Sequence, residues 1–418
     1  MGLRTDELIA LARAHSPLVA RRGEDGLLLA KAQGCRVFDA DNMAYVDVLG
    51  GGGANLLGYG NQYLLDAVRK ASSFGLASGF HAAAEIELVD LLSEMLPDYG
   101  PWVLTPAESE AWELALRWCR RDTGRQRLVV FDGNRRGSTE ALQVSAAGPL
   151  GISQPLVAGI PPEIARLVRV VPWGSVDAFA DVLSEVGVDT AAVILDPIAS
   201  LFGVLRPDPE FLRQVQERTR AVGARLVLDE TITGFRLARG GATESFALEP
   251  DVVVLGGALG GGVSPIGAIT WPRRLQATPG DELPAPAPPI SVLAATATLS
   301  VLRNESIHQR LEERGAQLQA GVEALAEKFG RSLRCNRVGS IFALYFSRTG
   351  VSDGRSFARV DQELWGRFAR GVRDNGVLLP SRSPVTSFLS HAHGVKDIEK
   401  VLSAMEQTLR RMQKEDEA

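Results

Sequence analysis

The chain has 418 residues, 45% hydrophobic and 23% charged, which suits a soluble globular protein of about two to three domains. Its 45 basic and 50 acidic residues leave a net charge of −5, which disfavours a nucleic-acid surface. No apolar run reaches membrane-spanning length, and Cys35, Cys119 and Cys335 lie too far apart for a CxxC or zinc spacing, so a reduced, cytoplasmic setting without a membrane is expected.

The first residues, MGLRTDELIALARAHS, carry acids and no long apolar stretch, and read as an amphipathic helix, not a signal peptide. FDADNMAYVDVLG alternates apolar and polar residues around Asp41-Asn42, the pattern of a hairpin. A glycine run, Gly50–Gly53, precedes two amphipathic helical stretches, Asn61–Ser72 and His81–Leu96. Six β-branched runs then alternate with helices: Leu128–Phe131, Leu167–Pro172, Ala192–Leu195, Leu226–Leu228, Val252–Leu255 and Ile266–Thr270. Continuous apolar strands of this kind imply a parallel sheet buried on both faces. Ligands of such sheets sit at the carboxyl ends of the strands, where Asp132, Asp196, Asp229 and Gly256-Gly257 fall. Pro272–Pro289 is a turn-rich boundary, Ile290–Phe329 is helical, Val338–Phe346 and Gly376–Leu379 read as strands, and Val395–Met412 closes the chain as a helix.

Lysine is scarce. The six lysines stand at 31, 70, 328, 396, 400 and 414, so chemistry between Ala71 and Glu327 has no amine side chain to use.

Five segments taken in order, FDADNMAYVDVLG, ESEAWELALRWCRRDTGRQRLVVFDG, DPIASLFGVLRPDPEFL, LVLDETITGFR and PDVVVLGGALGGGVSPIGAI, resemble the class III aminotransferases, most closely their glutamate-1-semialdehyde aminomutase branch. The likeness runs from about Ser16 to Met412. It implies the α/β architecture of pyridoxal-phosphate (PLP) fold type I: a large domain with a mostly parallel sheet and helices on both faces, plus a small α+β domain. The expected division is 1–50 and 291–418 for the two parts of the small domain and 51–290 for the large one. The resemblance also implies a dimer, taken as a homodimer, with a heterodimer with a paralogue as the alternative.

The resemblance implies cofactor positions too, and here the chain departs from the family. The Schiff-base lysine of the family falls at Gly257, in LGGALGGG; glycine has no nucleophile and no base, so an internal aldimine cannot form. The family's phosphate cup ends in a Gly-Ser/Thr-Glu-Ala sequence at a helix start; here Glu108 takes the glycine position and Ser109 follows. A carboxylate there repels a phosphate. One reading makes Thr105 the N-cap, Pro106 the first helical residue and Glu108 the third, in a capping box; the other makes Glu108 a new acid or base. The turn that carries the stacking aromatic in the family reads Asp132-Gly133-Asn134-Arg135-Arg136-Gly137, with Arg135 at the tyrosine position. Asp229 matches the carboxylate that meets the pyridine nitrogen, and Glu230 follows it. Arg135 is expected to pair with Asp229, and Arg135 and Arg136 together suit an anionic small molecule. A family threonine that reaches the phosphate from the neighbouring subunit aligns near Pro284. Pro380–Pro384 replaces a segment that presents a glutamate, so aminomutase substrate recognition is not carried over.

The pocket candidates are therefore Glu108, Ser109, Arg135, Arg136, Asp229 and Glu230, with Glu108, Ser109, Arg135, Asp229 and Gly257 as vestigial cofactor positions. The leading expectation is a degenerate, lysine-less pseudoenzyme: PLP-independent, with no cofactor and a rebuilt anion pocket, and not a standard transaminase. Two alternatives stay open: an aminotransferase- or aminomutase-like enzyme that holds PLP or pyridoxamine phosphate (PMP) non-covalently, and a non-catalytic partner of an active paralogue. No metal is expected. His391 and His393, two apart, fall in a segment near the domain or dimer seam.

Overall fold

A computed structural model describes residues 5–15, 27–73, 81–134, 137–277 and 284–417. Its centre is a seven-stranded sheet in the order Tyr99–Thr105, Gly267–Pro272, Val252–Leu255, Arg225–Glu230, Thr190–Leu195, Arg127–Phe131 and Val168–Val171. Thr190–Leu195 is buried along its whole length, as a strand covered on both faces must be. Helices grow from local signals beside it. Asp208 accepts from the Glu210 amide ahead of Pro209, and Ser175 accepts from the Ala178 amide at the start of Val176–Val186.

The sheet differs from the sequence expectation in two places. Gly267–Pro272 runs antiparallel to both neighbours. The link from Leu255 to Gly267 contains only a short 3-10 turn, Gly257–Gly260, and lacks the crossover helix that a parallel return requires. Tyr99–Thr105 is an edge strand that the sequence reading left out. It contains Gly100 and Pro101, residues that argue against a central strand and are tolerated at an edge.

The hairpin around Asp41-Asn42 forms as expected: Arg36–Asp39 pairs with Ala44–Asp47, and Asp39 Oδ1 accepts from the amides of Asp41 and Met43. Leu29–Gln33 extends this sheet on one side and Val377–Leu378 joins it in parallel on the other, so segments far apart in the chain share one sheet. Val338–Phe346 is not one strand. Leu333–Val338 and Ile341–Phe346 form a hairpin that turns at Gly339-Ser340, and Thr386–Phe388 adds a third strand.

Arg236, at the end of LVLDETITGFR, locks these parts together from the interior. It is only 2% exposed, donates to the Leu389 carbonyl at 2.9 Å, to Ser340 Oγ at 3.2 Å and to the Gly53 carbonyl, and lies over the Phe388 ring. Among the described residues no helix is long and apolar enough to cross a membrane.

Candidate functional site

The strand Arg225–Glu230 delivers two carboxylates to the end of the sheet, and the pleat sends them to opposite sides. Asp229 is buried, and its Oδ1 accepts from the Thr231 amide at 3.1 Å and from Thr231 Oγ1 at 2.6 Å. That two-point grip fixes the plane of the carboxyl group. Glu230 faces the short helix Gly241–Ser245. It accepts from Thr233 Oγ1 at 2.5 Å, the Ala242 amide at 2.9 Å, the Thr243 amide at 2.7 Å and Thr243 Oγ1 at 2.9 Å. Burial pushes its carboxyl above the usual range. Glu230 is therefore not a pocket residue: its hydrogen bonds are spent on holding that helix.

Gly257 follows the strand Val252–Leu255 at φ +47°, in the left-handed region. A β-carbon there would stand 2.2 Å from the Thr231 carbonyl oxygen. Thr231 thus touches both landmarks, holding Asp229 through its N–H and hydroxyl and presenting its C=O to Gly257.

Glu108 reaches the same place from the other side. The expected capping box is not formed. Thr105 belongs to the edge strand, paired with Gly267, and its hydroxyl donates to the Ala107 carbonyl at 2.7 Å. Ala107 is the N-cap, with no side-chain cap bond, and Glu108 is the first residue of the helix Glu108–Thr123. Sheet pairing of Thr105 displaces the helix start by two residues. Ser109 Oγ accepts from the Ser138 amide at 3.3 Å, and Gly137 sits so close, at φ +50°, that a β-carbon would lie 2.3 Å from that oxygen. The loop after strand Arg127–Phe131 is thereby pinned to the helix start. Arg135 and Arg136 lie outside the described residues, as does the expected Arg135–Asp229 pair.

Glu108 and Gly257 line one cavity of about 290 Å³, together with Ala54, Gly262, Ser264 and Ile266. Ser264 Oγ accepts from the buried Ser291 Oγ at 2.8 Å. Neither serine stood out in the sequence, nor did Thr231. Asn134, in the turn that precedes Arg135, is 4% exposed, and neither polar atom of its amide has a hydrogen-bond partner among the described residues. An amide buried without partners at the ligand end of a sheet calls for a ligand group or a water. Elsewhere at that end, Asp196 accepts from the Ile198 and Ser200 amides and so organises its own loop. His391 faces Glu305 at 3.5 Å while His393 Nδ1 accepts from the Ser390 amide, so the two rings serve different partners.

The model of the aminotransferase class-III family matches residues 19–409. The glutamate-1-semialdehyde 2,1-aminomutase of Aquifex aeolicus (strain VF5) is 34% identical over 407 residues, spanning 95% of this chain and 96% of its own. Among solved structures, an omega-transaminase from Sphaerobacter thermophilus superposes with a TM-score of 0.85 at 26% identity, over 92% of this chain and 91% of its own. A glutamate-1-semialdehyde-aminomutase from Pseudomonas aeruginosa PAO1, solved as a lysine-to-alanine variant in complex with PMP, gives 0.86 at 24% identity, over 97% and 94%. These findings correct the expectation of a cofactor-free protein, because this is a family of PLP and PMP users, and solved neighbours of the same fold carry them. The α/β fold type I architecture expected from the sequence is the one observed, and the chain belongs to the aminotransferase class-III family.

Proposed function

We propose that this chain is a lysine-less member of its family, one that takes the phosphorylated B6 vitamer as an exchangeable, non-covalent ligand and does not carry out standard transamination. The observation that carries this reading is Gly257: left-handed backbone, with the Thr231 carbonyl 2.2 Å from where a side chain would begin. The backbone has closed around the absence of a side chain at the position where the resemblance places the lysine.

The remaining residues fit the vitamer. The fixed carboxylate of Asp229 would receive the pyridine N–H. The Asn134 amide, without a partner among the described residues, offers both a donor and an acceptor at the same end of the sheet. The start of helix Glu108–Thr123 offers N–H donors of the kind that hold phosphates. Glu108 weakens that seat by its charge, which suits a ligand that comes and goes. Arg135 and Arg136, between Asn134 and Gly137 in the chain, are our candidates for the counter-charges of the phosphate. When bound, the vitamer supplies an electron sink, while the protein's part is to bind and orient it. In support, a related fold whose lysine is replaced by alanine has been solved with PMP.

The test is spectroscopic and calorimetric titration of the purified protein with PLP and PMP, followed by borohydride reduction and peptide mapping. Saturable binding with no reduced adduct in the central crevice is expected. An adduct mapped there, or the absence of binding by either compound, overturns the reading.

A further inference from the structure

The run Gly50–Gly53 joins the strand Ala44–Asp47 to Ala54, and all four of its glycines are left-handed, at φ +54°, +61°, +72° and +92°. Consecutive residues of this kind make a left-handed helical turn, which L-residues avoid and glycine enters as readily as its mirror image. The turn closes on itself: the Gly52 amide donates to the Leu49 carbonyl at 3.0 Å and the Gly53 amide to the Gly50 carbonyl at 3.2 Å. Its middle, Gly51 and Gly52, is exposed, and a β-carbon on Gly52 would meet none of the described residues within 4 Å. With no side chains to pack, the backbone has no preference of its own for this hand, and the choice falls to the groups that grip its ends. At the start, the buried Asp47 accepts from the Leu49 amide at 2.8 Å, the Gly50 amide at 3.1 Å and the Tyr59 hydroxyl at 2.6 Å. At the far end, Arg236 donates to the Gly53 carbonyl. Asn55 acts as a latch: its Nδ2 stands 2.6 Å from where a β-carbon of Gly51 would be, and its Oδ1 stands 2.1 Å from where one of Gly262 would be. The Asn55 amide thus fills a notch that only two glycines leave open. Ala54, between the turn and the latch, lines the cavity together with Gly257 and Gly262.

We infer that Gly50–Gly53 is a hinge and that Ala54-Asn55 is a movable wall of this cavity. The turn unwinds locally, Asn55 leaves the notch between Gly51 and Gly262, and the cavity, about 290 Å³ when latched, opens on that side. A segment with few packed side chains and exposed backbone hydrogen bonds is where local opening costs least. The inference does not depend on which ligand the cavity takes, so it stands or falls separately from the function proposed above.

The test is amide hydrogen exchange of the full chain, read by mass spectrometry on peptides covering 49–58, with the core strand Val252–Leu255 as reference. In the wild type, 49–58 is expected to exchange by local opening, at least about tenfold faster than the reference strand. Gly52→Ala adds no contact and penalises only the left-handed state, so it should speed exchange in 49–58 by about 5- to 30-fold, the left-handed cost of one alanine read as a population. Asn55→Ala, which removes the latch, should speed the same peptide and leave the reference strand unchanged. Gly330→Ala is the control: at φ +58°, with none of the described residues within 4 Å of its β-carbon, it carries the same strain elsewhere and should leave 49–58 unchanged. Thermal melting checks that each variant is folded, and the wild-type comparison stands without any variant. Exchange of 49–58 in step with the core strand overturns the inference. So does a rate in 49–58 that neither Gly52→Ala nor Asn55→Ala moves, or one that Gly330→Ala raises equally.

Discussion

The sharpest consequence of the site geometry concerns position 257. Gly257→Ala places a β-carbon 2.2 Å from the Thr231 carbonyl oxygen, far inside the about 3.5 Å at which heavy atoms attract, and at φ +47°. The left-handed backbone costs an alanine about 1–2 kcal/mol. Overpacking against a neighbour that cannot retreat freely adds about 1–3 kcal/mol. The entropy gained by removing a glycine from the unfolded chain returns about 0.4–1 kcal/mol. A net loss of about 2–4 kcal/mol follows, or roughly 5–15 °C in melting temperature at about 2–4 °C per kcal/mol for a large domain. Gly260→Ala is the control: its β-carbon would first meet Ile266 Cγ2, at an ordinary 3.5 Å. Differential scanning fluorimetry and urea unfolding should separate the two variants clearly. Gly257→Lys, which carries the same β-carbon, should likewise destabilise the protein and should not yield a borohydride-reducible PLP adduct. A Gly257→Ala protein that melts with the wild type, or a Gly257→Lys protein that captures PLP stoichiometrically, would refute the reasoning.

Three further outcomes can be checked with the same material. Asp229→Asn keeps an oxygen for the Thr231 amide and hydroxyl but loses the charge, so the melting temperature should hold while PMP affinity, read by calorimetry, falls about ten- to a hundredfold. Arg236→Met leaves the Leu389 and Gly53 carbonyls buried without their donor and should cost about 2–5 kcal/mol in urea unfolding. Glu230 is held protonated by burial to higher pH than in the unfolded chain, so its stabilising contribution is full below the ordinary glutamate value and is lost as pH rises through the raised one. Urea midpoints between about pH 4 and pH 8 should show that decline in the wild type and a flatter profile in Glu230→Gln.

What could be read in the sequence was local periodicity; what could not was set by partners distant in the chain. The run Val252–Leu255 and the hairpin at Asp41-Asn42 declared themselves through β-branched residues and turn chemistry. The helix start at Glu108 did not. Thr-Pro-Ala-Glu is a sound capping box by local rules, but Thr105 is paired with Gly267 in the sheet, its hydroxyl donates to the Ala107 carbonyl, and the helix begins only after Ala107. The direction of Gly267–Pro272 depended on the missing crossover helix, and the edge strand was hidden by Gly100-Pro101. The opposite facing of Asp229 and Glu230, by contrast, follows from the two-residue repeat of any strand and was open to sequence reasoning. Thr231 and Ser264 lie inside segments that carry the resemblance and Ser291 does not, but no local pattern singles any of them out; only their contacts mark them.

Those contacts also tie the carboxylate at 229 to the bare backbone at 257. Thr231 is engaged on both sides, its N–H and hydroxyl on Asp229 and its carbonyl against Gly257, so the two positions share one backbone segment. A side chain at 257 must push the Thr231 carbonyl, whose peptide plane carries the Ile232 amide, so the disturbance reaches the Thr231 amide and hydroxyl that hold Asp229 only through the Thr231 α-carbon. Asp229 held by Thr231 and a bare Gly257 facing the same residue together describe one structural state. Within that state the carboxylate is held by two hydrogen bonds whether or not a ligand is present, because a buried acceptor left unpaired would itself be costly. Asp229 taken alone is thus accounted for by the hydrogen bonds of the strand end.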